Sequence, residues 1–169
     1  ELDSALGEID YRLKYILLTH THFDHMYGAR KLKEKTGALL CVHELDIPGL
    51  TDYSLNIGYT GMKFCKNADI SLSDGQILKL GSEEIKVIHT PGHTVGGVCF
   101  LTGDMLFTGD TLFAGTIGRT DFMGGSYTDI ITSLRTIDAL GDDLTIYPGH
   151  GPATTLKTER ENNPYMGHM

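Results

Sequence analysis

At 169 residues, with 40% apolar and 21% charged residues and no polar low-complexity tract, the chain has the balance of a globular protein rather than a disordered one. A net charge of −8 without any Lys/Arg stripe excludes the electrostatics of a nucleic-acid binder. No apolar run approaches the ~20 residues of a membrane span, and the length suits a single domain over residues 1–169.

Leu2, Ala5, Leu6 and Ile9 follow the i, i+3, i+4, i+7 spacing of a helix, so the chain reads as starting in mid-fold, on an acidic helical segment rather than a signal peptide. Tyr15-Ile16-Leu17-Leu18 is a short continuous apolar run, which suits a strand covered on both faces. Met26, Ala29 and Leu32 then mark the inner face of a helix whose lysines face water and which Gly37 ends. A strand over 38–42 follows. Residues 43–69 read as loop-rich with a short helix, because Pro48, Gly49, Gly58 and Gly61 break any period. His43, with Glu44 and Asp46, follows a strand and reads as a cap on the next segment; a place beside the site is the alternative.

Asp74-Gly75 reads as a hairpin turn, with strands over 77–80, 85–89, 98–101 and 105–108 and a Gly103-Asp104 turn joining the last two. His89, in an alternating strand, reads as a hydrogen-bonded core histidine. Ser126 with Asp129 looks like a capping box, opening a helix in which Ile130, Leu134 and Ile137 share a face. A last strand over 144–147, with Tyr147 in the core, leads into Pro148-Gly149-His150. Strands on both sides of helical segments predict an α/β sandwich with helices on its outer faces. Cys41, Cys65 and Cys99 are odd in number, widely spaced and set among apolar residues, which predicts reduced structural thiols and a cytoplasmic protein. The closing Gly167-His168-Met169 carries no weight.

The chemistry concentrates in Thr19-His20-Thr21-His22-Phe23-Asp24-His25. In extended chain His20 and His22 project to one side and can grip one cation, and the turn into the helix re-aims Asp24 and His25 toward a second. His93, Asp110 and His150 each follow a predicted strand and are flanked by glycines, which allow sharp turns and close approach. A carboxylate such as Asp110 can bridge two cations, which two-metal hydrolases hold ~3.5–4 Å apart. Nitrogen and carboxylate ligands without thiolates suit two divalent ions, Zn foremost, with Fe or Mn as alternatives. Arg119 can steady an anionic substrate end or pair with Asp121.

These motifs, in this order, resemble the metallo-β-lactamase superfamily over residues 14–164. The resemblance implies an αββα sandwich in which His20, His22 and His93 hold one metal, Asp24, His25 and His150 the second, and Asp110 bridges, with Asp24 and Asp110 as catalytic carboxylates. Within the superfamily, true two-zinc β-lactamases commonly carry Cys where Asp110 stands, and flavodiiron proteins place Glu at the position of His22. The segments 109–113 and 118–122 look instead like the short glyoxalase II-like (hydroxyacylglutathione hydrolase-like) hydrolases of bacteria.

That likeness implies hydrolysis of a small-molecule thioester by a metal-bridging hydroxide. A thiolate leaves without prior protonation, whereas an amide nitrogen needs an acid that is not evident here. Persulfide dioxygenases with a single iron share a similar Gly-Arg-Thr-Asp segment and form the first alternative; a metal-holding but inactive domain forms the second. Glyoxalase II proper has a C-terminal glutathione-binding domain that nothing after Pro164 supplies. Family members also begin with strands ahead of the helix at 2–9, about 40 residues by the measure of domain length. The expectation is an N-terminally incomplete sandwich, either a fragment of a longer polypeptide or a homodimer completing its sheet with segments from a second copy.

Overall fold

The computed structural model describes residues 12–141 and 144–166; the helix expected at 2–9 and the closing 167–169 lie outside them. In chain order the elements are β1 (Tyr15–Leu17), α1 (Phe23–Met26), α2 (Ala29–Thr36) and β2 (Leu39–His43). A 3-10 helix (Glu44–Leu50), α3 (Tyr53–Asn56), β3 (Ile70–Leu72), β4 (Ile77–Leu80), β5 (Glu83–His89), β6 (Val98–Thr102) and β7 (Met105–Gly109) follow. The chain continues through β8 (Leu112–Phe113), β9 (Thr116–Ile117), α4 (Tyr127–Asp138), β10 (Thr145–Pro148), β11 (Thr154–Thr155) and α5 (Leu156–Asn162). One sheet is parallel, in the order β1-β2-β3, and the other is mixed, in the order β11-β10-β7-β6-β5-β4.

Alternation along the strands builds three apolar layers. Ile16, Leu40 and Val42 point to one side of the parallel sheet, where Met26 and Ala29 of α1 and α2 pack on them with Leu50 and Phe64. Tyr15, Leu17 and Cys41 point to the other side and meet Ile85, Val87, Val98 and Phe100 of the mixed sheet. The intervening positions Ile88, Cys99, Leu106 and Ile146 face outward and are covered by Leu134 and Ile137 of α4 and by Leu156. The result is helix, sheet, sheet, helix, the αββα sandwich of the metallo-β-lactamase fold. Each fully buried Leu or Ile contributes about 1.5–3 kcal/mol. Cys41, Cys65 and Cys99 are free and buried, and burial pushes the Cys41 and Cys99 thiols up to about 11, as inert core thiols require.

Several local expectations need correction. The helix expected from Met26 onward is broken at Tyr27-Gly28, which separates α1 from α2; Gly37, at φ 70°, caps α2 as expected. Asp74-Gly75 is not a hairpin turn, because β3 and β4 belong to different sheets; the tight turn is Gly81-Ser82, between β4 and β5. Gly103-Asp104 does join β6 to β7. Tyr147 is not core: it is 40% exposed and stacks on Phe107, also exposed, at 5.2 Å between ring centroids. Among the described residues β1 pairs only with β2, and its free side opens on an apolar groove lined by Leu13, Tyr15, Leu17, Leu80 and Ile85.

The loop from β5 to β6 docks on the start of α4 through Gly92, whose φ is +130° and whose missing side chain leaves room for the backbone of Ile130. A methyl group there would stand 2.5 Å from Ile130 Cα. Backbone strain and overpacking together predict that Gly92→Ala loses about 3 kcal/mol or more of stability. Thermal melts test this, and an unchanged Tm would show that the loop yields at no cost.

Candidate metal centre

β5 and β7 run parallel to each other, since each is antiparallel to β6, and β10 pairs parallel with β7. Their carboxyl ends therefore share one rim, and deliver His93, Asp110 and His150 there. The carboxyl end of β1 delivers residues 19–25 from the other sheet, with Val98 N–H donating to Thr19 O at 2.8 Å to tie the two sheets together. All seven sequence-predicted donors meet at this rim, in three groups that each lie within 4.8 Å: His20, His22 and His93; His20, His25 and Asp110; Asp24, His25 and His150.

The separations fit donors that share ions. Two ligands about 2.0–2.1 Å from a tetrahedral zinc stand about 3.3 Å apart. His25 Nε2 is 3.2 Å from His150 Nε2, His93 Nε2 is 3.4 Å from Asp110 Oδ2, and His150 Nε2 is 3.1 Å from Asp24 Oδ2. Asp110 reaches both the His20, His22, His93 group and the Asp24, His25, His150 group, with Oδ2 3.4 Å from His93 Nε2 and Oδ1 3.2 Å from His25 Nε2. The His22 Nδ1 to His93 Nε2 approach is closer, 2.8 Å. His20 Nε2 and His22 Nε2 are buried without a hydrogen-bond partner among the described residues. Lone pairs left bare in this way are costly unless a cation takes them, so the residues fit a metal centre.

The tautomer of His93 is set from behind. Its Nδ1 donates to the Arg119 carbonyl at 2.7 Å, which leaves the Nε2 lone pair facing His22. Thr19 Oγ1 lies 3.2 Å from His20 Nδ1 and leaves His20 Nε2 turned inward. Burial, with the neighbouring imidazoles adding to it, holds His20 well below 6.5 and His22 at about 4, so both are neutral and ready to ligate. For Asp110, burial acts to raise the carboxyl, but His25, His93 and His150 outweigh it and hold it below the usual range.

These shifts carry a sign for the metal-free protein. His20, His22 and His43 are all depressed in the fold, while the unfolded chain titrates near 6.5. The unfolded state then binds more protons as pH falls, so the stability is fully present above 6.5 and is lost on acidification toward about 4, the folded value of His22. The denaturation midpoint of chelated protein should drop between about pH 7 and about pH 5. A flat midpoint over that window would contradict the assignment.

Gly149 lets the β10 loop pass over this centre. A methyl group there would overlap Asp110 Oδ1 and stand 2.6 Å from His25 Cε1. The Arg119 side chain is exposed, pairs twice with Asp121 at 2.6 Å and lies 3.9 Å over the Phe122 ring. What Arg119 gives the centre is its carbonyl, a backbone role with no signal in sequence. His43 caps the 3-10 helix by accepting from Leu45 N–H, as expected, and stacks on His89 at 4.2 Å, outside the cluster. His89 is itself bonded to Val95 O at 3.0 Å, and Thr111 faces Thr90 rather than a donor residue. No helix among the described residues is long and apolar enough to cross a membrane.

Comparison with known proteins agrees with this fold. The hydroxyacylglutathione hydrolase GloC of Haemophilus influenzae is 38% identical over an alignment of 178 positions, which covers 98% of this chain and 81% of that protein. Among solved structures, the BLEG-1 B3 metallo-beta-lactamase superposes with a TM-score of 0.91 at 34% identity, over 98% of this chain and 82% of that one. TTHA1623 in a di-iron-bound form gives 0.80 at 34% identity, over 97% and 81%. The model of the metallo-beta-lactamase superfamily matches residues 2–150, and the chain belongs to that superfamily.

Proposed function

We propose that this metallo-hydrolase-superfamily chain hydrolyses small-molecule thioesters of the acyl-glutathione type on two divalent ions, with zinc the first choice. The observation that carries the reading is Asp110, whose two oxygens face both donor groups. His20, His22 and His93 would hold one ion, Asp24, His25 and His150 the other, and Asp110 would join them. Bound metal supplies Lewis-acid polarisation of a carbonyl and water that is deprotonated near neutral pH.

The chain's own groups do the rest. Asp24, 3.1 Å from His150 Nε2 and open to solvent, is placed to orient water at the mouth of the site. The Arg119 carbonyl keeps the His93 ring in a single orientation. Arg119 itself is the cation on that loop available to an anionic substrate end, in exchange for its pair with Asp121. A thiol pKa of about 8.5 means the leaving group needs no proton donor. Similarity to the Haemophilus hydroxyacylglutathione hydrolase supports the substrate class.

Zinc-loaded and iron-loaded protein should be assayed with acyl-glutathione thioesters, a β-lactam and glutathione persulfide, with oxygen uptake followed alongside. Thioester turnover without oxygen uptake is expected. Oxygen consumption on the persulfide by a one-iron form would establish a dioxygenase instead, and inactivity on all three substrates would leave a metal-holding domain.

A further inference from the structure

We propose that Asp46 is a positioning residue for the buried imidazole group, clamping together the two segments that carry His20, His22 and His93. The inference rests on the reading of those three residues as ligands. Asp46 sits in the 3-10 helix after β2 and is 4% exposed. Its Oδ2 accepts from the Thr21 backbone N–H at 3.0 Å and from Thr94 Oγ1 at 3.0 Å, and its Oδ1 accepts from the Gly96 N–H at 2.7 Å. The Thr21 hydroxyl adds a bond to the Asp46 carbonyl at 3.1 Å.

Thr21 lies between His20 and His22, and Thr94 follows His93. One carboxylate therefore bonds to the immediate chain neighbour of each imidazole, from elements that belong to different sheets. The fit is close: a side-chain carbon on Gly96 would stand 2.7 Å from Asp46 Oδ1. Thr21 and Thr94 are themselves buried, so water does not compete for these bonds. Burial raises the Asp46 carboxyl against the donors that lower it, a cost the fold bears at a position that touches no ligand ring.

Asp is the residue this pattern requires. Three donors converge on two oxygens, and an amide at this position would present its own N–H₂ to one of them. Asp46→Asn should therefore loosen the spacing between Thr21 and Thr94 while keeping volume. Thr94→Val removes one bond and Thr94→Ser restores it.

The test is cobalt(II) alone, bound to the full chain, with affinity read by chelator competition and geometry by the visible d–d spectrum. Asp46→Asn should weaken the tighter cobalt site about 10–100-fold and shift its spectrum, the range seen for groups that orient ligands from behind. Thr94→Val should move both readouts in the same direction by less, and Thr94→Ser should return them to wild type. Affinity and spectrum unchanged in Asp46→Asn and Thr94→Val, with only the melting temperature lowered, would overturn the proposal. If Asp46→Asn does not fold, the Thr94 pair decides alone. His93→Ala separates the two claims: if it binds cobalt like wild type, the ligand reading falls and the proposal with it, whereas lost binding there beside unchanged Asp46 and Thr94 variants rejects the clamp alone.

Discussion

Asp110→Ala is expected to lower kcat/KM for a thioester by at least about a thousandfold, the scale reached when preorganised charge at a reacting centre is removed. Asp110 stands between both donor groups with little exposure, and its oxygens lie 3.2 Å from His25 Nε2 and 3.4 Å from His93 Nε2. Without it, the two donor groups would lose the carboxylate that they share. Asp110→Asn, which keeps the volume and loses the charge, should behave almost as badly. His25, His93 and His150 hold the Asp110 carboxyl below its usual range in the fold, so the metal-free variant should also melt somewhat below wild type near neutral pH. Turnover within tenfold of wild type in either variant would sink the bridging role.

The second large effect concerns the two ions separately. His20, His22 and His93 are 2%, 2% and 5% exposed, whereas the Asp24 and His150 side chains are 38% and 57% exposed. Buried donors are held by their neighbours before metal arrives, while exposed ones must be ordered by it, and ordering long side chains costs free energy. Chelator titration of protein loaded with two ions should therefore release metal in two steps, the outer ion first. His150→Ala should hold one ion per chain and lose at least about a hundredfold in turnover. One ion per wild-type chain under saturating supply would remove the basis for both expectations.

Much of this centre was legible in the sequence because four of its donors are packed densely after one strand and because each remaining donor follows a strand and comes directly after a glycine. Strand ends in a sandwich are where chemistry collects, so placing the strands nearly placed the cluster. What stayed illegible was of three physical kinds. Sheet membership was one: Asp74-Gly75 has hairpin chemistry, yet β3 and β4 part into different sheets there, a decision made by packing rather than by the turn. Exposure was another, since Tyr147 occupies a strand position whose inner face is uncovered among the described residues. The third was support from groups without a motif, namely the Arg119 carbonyl on His93 and the Asp46 carboxylate on Thr21 and Thr94. Spacing shows which side chains are present and is silent about which backbone groups will come to stand behind them.

The junction of two sheets at one rim also sets an order of events in the life of the chain. His25 and His150, neighbours in the finished centre, are 125 residues apart in sequence. At synthesis rates of about 5–20 residues per second, the first four donors emerge from the ribosome several seconds or more before the last. During that interval β10 does not yet exist and the outer group of donors is incomplete. A cation captured early would be held by residues 19–25 alone, with no rim yet closed to choose among the divalent metals it meets. If the centre holds two ions as proposed, selectivity would belong to the closed rim, and the identity of the ions would be decided after translation, by what the cell offers a sandwich that has already shut.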